Sequence, residues 1–173
     1  MKKLLLTTTA AALLAGCQTT PDAPLRATAA LQPTKGSKAF GEATFEEVEG
    51  GKVRVIVFAQ GLRPEREHGF HIHEAGDCSS GDGMSTKGHF NPHAKPHGQP
   101  TSPERHAGDL PALKAGKDGR AKIDATLDVL SIGQGPGNVV GRGLIIHADP
   151  DDYKTQPTGN AGARIACGVI KTG

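Results

Sequence analysis

Ala121-Lys122-Ile123-Asp124-Ala125-Thr126-Leu127-Asp128-Val129 places every odd-numbered side chain on an apolar face and every even-numbered one on a polar face. A period of two belongs to a strand, and apolar-in, polar-out alternation marks a half-buried antiparallel one. Lys52-Val53-Arg54-Val55 begins the same way and becomes more continuously apolar through Ala59. Glu49-Gly50-Gly51-Lys52 and Lys117-Asp118-Gly119-Arg120 read as hairpin turns, because glycine takes positive φ without steric cost. Further strands are expected near 27–33, 40–48, 68–74, 111–115, 142–148 and 164–170, and helix-period stretches are hard to find. The pattern predicts an all-β domain over 27–173, a sandwich or flattened barrel of about eight short strands.

Two segments break the pattern: 75–110, rich in Gly, Pro, His and charge, and 149–163. Structureless loops this long are unusual in a small domain and tend to be functional. The chain has eight histidines, and seven lie between His68 and His106. Imidazole suits both copper and zinc. His71 and His73 stand two apart on an expected strand and so share a face. His89, His97 and His106 with Asp109 give three imidazoles and a carboxylate, a suitable four-coordinate zinc set. Metal then orders a loop for which a hydrophobic core does not suffice. His147, alone after an apolar run, has to join the others in space.

Residues 1–16 are set apart from the fold. Lys2 and Lys3 precede a short apolar stretch, Leu4 to Leu14, too short to span a bilayer and typical of a secretory signal. Leu14-Ala15-Gly16-Cys17 resembles the bacterial lipobox, which implies an acylated Cys17 as the new N-terminus, a lipid anchor and a tether over 17–26. No Asp follows Cys17, which implies sorting to the outer membrane, facing the periplasm. Without Lys2 and Lys3 the chain has 18 basic and 18 acidic residues, and no basic stripe points to nucleic acid. With Cys17 acylated, Cys78 and Cys167 are left in an oxidising compartment, where they form a natural pair. No thiolate then remains for a zinc ribbon.

GFHIHEAGD, GHFNPHAKPHG, RHAGDLP, GRGLIIHADPDD and TGNAGARIACGVI resemble, in order, the successive motifs of copper/zinc superoxide dismutases, over nearly all of the chain from residue 27. The resemblance implies an eight-stranded antiparallel Greek-key β-sandwich or flattened barrel with two long functional loops. It also implies one copper on His71, His73, His89 and His147 and one zinc on His89, His97, His106 and Asp109, with His89 bridging. Asp151 matches the carboxylate that bonds His71 on one side and His97 on the other. Arg164 matches the arginine that docks the anionic substrate, superoxide, and Cys78–Cys167 matches the family disulfide. His68 and His93 match no ligand position; His68 is expected at a turn or facing solvent, and His93 in a Pro-bounded loop between two ligand positions, where contact with metal or a part in metal loading stays open. Met84 and Lys87 are expected to be exposed.

The activity implied is conversion of superoxide to dioxygen and hydrogen peroxide by copper redox cycling, with His89 as the proton carrier and zinc structural, protecting the cell envelope. Only sixteen residues separate His147 from Arg164, and Lys154 is the only lysine among them. Steering of the anion is therefore expected to rest on Arg164 with Lys154 or Lys87. A copper-handling sandwich without this activity would be expected to lack a ligand or the arginine, and all these positions are filled. A purely adhesive domain leaves the histidine density unexplained. The strand pattern leaves monomer and homodimer both open.

Overall fold

A computed structural model describes residues 23–173. The signal segment, Cys17 and most of the tether fall outside the described residues. The described residues form ten strands: β1 Arg26–Pro33, β2 Phe40–Val48, β3 Lys52–Gln60, β4 Glu67–His68, β5 Phe70–His73, β6 Leu113–Lys114, β7 Ala121–Leu127, β8 Gly143–His147, β9 Arg164–Val169 and β10 Lys171–Thr172. Eight of them form one antiparallel sheet, in the order β5-β8-β9-β1-β2-β3-β7 with β10 beside β1. The chain leaves β3, crosses to β5, returns to β7 beside β3 and crosses again to β8, the connectivity of a Greek-key flattened barrel.

The alternation explains the layers. In β7, Ala121, Ile123 and Leu127 are buried while Lys122 and Asp124 are exposed. The buried faces of β1, β2 and β3 supply Leu31, Phe45 and Val55, which pack in one core with Phe70 and Ile72 of β5 and Ile146 of β8. Apolar burial on this scale is the main favourable term. β1 belongs to both layers: it pairs with β2 along most of its length, and Gln32 and Pro33 meet Cys167 and Ala166 of β9.

Four sequence expectations change. The run expected near 68–74 is broken at Gly69, so that β4 pairs with β6 while β5 pairs with β8. A Cβ on Gly69 would lie 2.7 Å from the Ala161 Cβ and 3.2 Å from the His71 ring, so the chain can approach its neighbours only with glycine here. The strand near 111–115 shrinks to two residues. Lys117–Arg120 is a turn closed by Gly116 and Arg120, but it joins strands of different sheets, because β6 pairs with β4 and β7 with β3. A tenth strand, β10, was not foreseen. The Glu49–Gly51 turn does close a hairpin, β2 with β3.

The long loop after β5 contains one 3₁₀ turn, Met84–Thr86. Cys78 in that loop is bonded to Cys167 of β9, which closes 89 residues. On the loop-entropy model such a link stabilises by about 4.6 kcal/mol. Its local effect is to fix the loop against the strand that begins with Arg164.

Candidate metal centre

Phe70 and Ile72 of β5 point into the core, so His71 and His73 project from the other face. They are nevertheless buried, because the two long loops cover that face. The first loop is laced to β5 by its backbone: Phe90 N–H donates to the Ile72 carbonyl (2.8 Å), and Ile72 N–H donates to the Gly108 carbonyl (2.9 Å). These bonds bring His89 opposite His73 and Asp109 opposite His71. His147 ends β8 at an irregularity in register, where its N–H donates to the Gly69 carbonyl (2.8 Å).

Two groups of ligand-type side chains result, His71, His73, His89, His147 and His89, His97, His106, Asp109. All are buried, and the ligand atoms within each group lie within 4.8 Å of one another. His89 belongs to both. Its Nδ1 is 2.9 Å from Asp109 Oδ1, and its Nε2 is buried without a partner.

Hydrogen bonds fix which nitrogens are free. A carbonyl can only accept, so His73 Nδ1 donates to Lys87 O (2.8 Å) and His147 Nδ1 donates to Gly162 O (3.2 Å). The neutral rings then carry bare Nε2 lone pairs, which face each other at 3.4 Å. His71 Nε2 bonds Asp151 Oδ2 (2.7 Å), which leaves its Nδ1 buried and unpartnered. Lone pairs aimed at one another in a buried space repel unless a cation lies between them. The donor set therefore fits copper, for which imidazole is well suited.

In the second group Asp109 Oδ1 lies 2.9 Å from His89 Nδ1, 3.0 Å from His97 Nδ1 and 3.3 Å from His106 Nδ1. Its Oδ2 accepts the amides of Gly98 (3.1 Å) and His106 (2.9 Å). Three ring nitrogens converging on one carboxylate fit zinc. Asp151 joins the two groups, since its Oδ1 accepts from His97 Nε2 (2.9 Å) while its Oδ2 serves His71.

Electrostatics differ between the groups. Burial, then the neighbouring rings, hold His73 and His147 well below the ordinary histidine range. Burial also pushes His89 down to about 4 against the pull of Asp109. Burial opposes charge on His97 too, but hydrogen bonds to Asp109 and Asp151 outweigh it and raise the ring to about 9. Asp109 and Asp151 stay below the usual carboxylate range: burial works against their charge, and the bonds from the histidines prevail.

These shifts predict how the metal-free protein responds to pH. His89 moves from 6.5 to about 4 on folding, so its contribution is complete above 6.5 and is lost as pH falls toward 4. That loss is roughly 3 kcal/mol, and His73 and His147 add in the same sense. The contribution of His97 is complete below 6.5 and is lost as pH rises through about 9. Thermal midpoints of the metal-free chain should peak near neutrality and fall on both sides; a flat profile contradicts this electrostatic picture.

Arg164, at the start of β9, lies on the first loop. Its guanidinium donates to Gly83 O (2.6 Å), Thr86 Oγ1 (2.8 Å) and Lys87 O (2.6 Å). The Lys87 carbonyl is thus shared by Arg164 and His73, which ties the cation to the first ligand group. Lys87 reaches this position with φ of 63°, in the left-handed region. Its ammonium is exposed, 3.7 Å from Glu74.

Residues 39–170 match the family model described as copper/zinc superoxide dismutase (SODC). The chain belongs to the copper/zinc superoxide dismutase family. A dismutase of Paramecium bursaria Chlorella virus 1, "Superoxide dismutase [Cu-Zn]", is 42% identical over 85% of this chain and 78% of its own length. "Superoxide dismutase [Cu-Zn] 2" of Aquifex aeolicus is 41% identical over 85% of this chain and 87% of its own. Among solved structures, that of the clock protein EA4 superposes with a TM-score of 0.78 at 41% identity, covering 89% of this chain and 98% of that one. Residues 1–18 match a prokaryotic membrane lipoprotein lipid attachment site. As a member of the dismutase family, the chain is an oxidoreductase that uses copper and zinc.

The structure also corrects one expectation within the dismutase site. His68 is not at the surface: it is fully buried, and its Nδ1 donates to the His147 carbonyl (2.8 Å). A histidine three residues before His71 on one apolar run carries no signal of a partner 79 residues away. His93 is exposed and belongs to neither ligand group. Met84 and Lys87 are exposed as expected.

Proposed function

We propose that this chain disproportionates superoxide in the cell envelope, 2 O₂⁻ + 2 H⁺ → O₂ + H₂O₂, with copper held by His71, His73, His89 and His147 and zinc by His89, His97, His106 and Asp109. The observation that carries this reading is His89, one ring with its two nitrogens turned to two different ligand groups. When bound, copper supplies one-electron exchange between Cu(II) and Cu(I), and zinc supplies a fixed charge that lowers the pKa of the shared imidazole. His89 Nε2 is the atom that holds a proton and passes it to the reduced substrate. Lys87 O and Gly162 O keep the protons of His73 and His147 on Nδ1, so that Nε2 stays free. Asp151 orients His71 and His97 together. Arg164 docks the anion beside the ligands. Metal analysis of the purified protein should give one copper and one zinc per chain, with dismutase activity in a cytochrome c competition assay. Absence of stoichiometric metal, or metal without activity, would reject the reading.

With so small an anionic substrate, the exposed cations set its rate of arrival. Lys87 adjoins Arg164 through the backbone, whereas Lys154 sits on the second loop with its N–H on Asp152 Oδ1. Lys87→Glu should lower kcat/KM about three- to tenfold at low ionic strength, and the deficit should shrink at 0.15 M salt. Lys154→Glu should have the smaller effect. Unchanged rates and salt dependence in both variants would dismiss either lysine as a guide.

The mature chain is read as beginning at an acylated Cys17, followed by a tether over 17–26 and the dismutase domain over 27–173. Support comes from the lipid attachment site and from Gln18, rather than Asp, after Cys17. It faces the periplasm on the outer membrane. Membrane fractionation tests this, and Cys17→Ala should release the chain from the outer-membrane fraction. For assembly we propose a homodimer, supported by two exposed phenylalanines on neighbouring strands, Phe40 and Phe58, that a second copy would cover. Sedimentation equilibrium of the acyl-free protein distinguishes dimer from monomer.

A further inference from the structure

The zinc-side residue His97 lies in a proline-flanked segment, Pro96-His97-Gly98-Gln99-Pro100, that belongs to no strand. Its backbone is nonetheless paired. The His97 N–H donates to Gln156 Oε1 (2.8 Å), and Gln156 Nε2 donates back to the His97 carbonyl (2.9 Å). A side-chain amide thus stands in for the neighbouring strand that His97 lacks. Gln156 lies 59 residues away on the second loop, the loop that also supplies Asp151 to the His97 ring.

That loop is closed on itself. Asp152 Oδ1 accepts the amides of Lys154 (2.9 Å) and Thr155 (2.8 Å), and Asp152 Oδ2 accepts the Thr155 hydroxyl (2.6 Å). Gly159 N–H donates to Thr155 O (2.7 Å), and Asp152 N–H donates to Gly159 O (2.9 Å). Gly159, at φ of +67°, rests against the Asp151–His97 bond itself: a Cβ there would lie 1.9 Å from Asp151 Oδ1 and 2.5 Å from His97 Nε2. Segment 151–159 therefore grips His97 at three places, the ring through Asp151, the main chain through Gln156, and the ring-to-carboxylate bond through the bare backbone of Gly159.

We infer that Gln156 is a positioning residue for His97, and that segment 151–159 is a preformed clasp that governs how fast zinc leaves the protein. The inference rests on the reading of His97 as a zinc ligand. Zinc can depart only when its ligands swing away. Gln156 ties the His97 segment to the second loop, and none of its side-chain bonds reaches a copper-side ring, so the amide pair restrains His97 while leaving those rings in place. Partners that orient a metal ligand change metal affinity by about 10–100-fold when removed.

The test is zinc transfer from the purified holoprotein to excess chromophoric chelator at neutral pH, alongside the copper electron paramagnetic resonance spectrum. Gln156→Ala should release zinc about tenfold faster with an unchanged copper spectrum. Gln156→Glu, which turns a carboxylate oxygen toward the His97 carbonyl, should release it at least as fast. Val57→Ala, a truncation in the core of β3, serves as a thermal control and should leave zinc release near the wild-type rate. Wild-type release in both Gln156 variants, or equal acceleration in Val57→Ala, overturns the clasp. Failure of the underlying reading looks different, because the wild-type chain would then hold no stoichiometric zinc at all.

Discussion

His147→Ala should abolish dismutation, by about a thousandfold or more, and strip copper while leaving one zinc per chain. The argument starts from the ring's surroundings. His147 Nε2 faces His73 Nε2 at 3.4 Å, in a buried space where neither nitrogen carries a proton. Removing partners that merely orient a ligand costs about 10–100-fold in affinity or activity, and removing a ligand costs more. None of the zinc-side contacts passes through His147, so zinc content and the circular dichroism of the sheet should persist. Truncating a buried ring ordinarily destabilises by a few kcal/mol. Here the metal-free protein should lose less than that, because the opposed lone pairs disappear with the ring. Free imidazole should enter the space left behind and restore part of the copper binding. A variant that kept copper and activity within tenfold of wild type would place the redox metal elsewhere.

How much of this was legible in the sequence depends on the range of the interaction concerned. Val53 to Val57 and Ala121 to Leu127 announced their strands because strand periodicity is local. The ligand-type residues stood out because few other side chains bind transition metals, and the family motifs ordered them. The break at Gly69 was hidden, since HGFHIH reads as one continuous run while the space beside Gly69 is set by Ala161, far along the chain. The burial of His68 was hidden in the same way, its partner being the backbone of residue 147. The carbonyls of Lys87 and Gly162, which select the free nitrogens, have no side-chain identity to read. Gln156 reads as one polar residue in a polar loop until its amide is seen paired with His97. Residue type thus announces the donors and the family motifs point to Asp151, whereas the backbone carbonyls and the Gln156 amide that also orient them emerge only from the fold.

Asp109→Ala should cost more stability than an ordinary core truncation and should remove zinc outright. Asp109 is buried, and its two oxygens take part in five interactions: with the rings of His89, His97 and His106 through Oδ1, and with the amides of Gly98 and His106 through Oδ2. Alanine leaves both amides buried without an acceptor, each at a cost of about 1–3 kcal/mol. It also removes one of the two carboxylates that keep His97 charged, so that Asp151 alone has to offset the burial of that ring. The sum places this variant among the large effects, about 4–5 kcal/mol or more, that point to a broken buried network. In a domain of this size that corresponds to a fall in the thermal midpoint on the order of 10 °C or more, even before metal is added. Zinc analysis should read near zero. Asp109→Asn separates the two roles, because its amide oxygen can still accept from one backbone N–H while the charge is gone. It should recover part of the thermal loss and none of the tight zinc binding. Equal zinc content in wild type and Asp109→Asn would show that the carboxylate holds the loop together but is not a ligand.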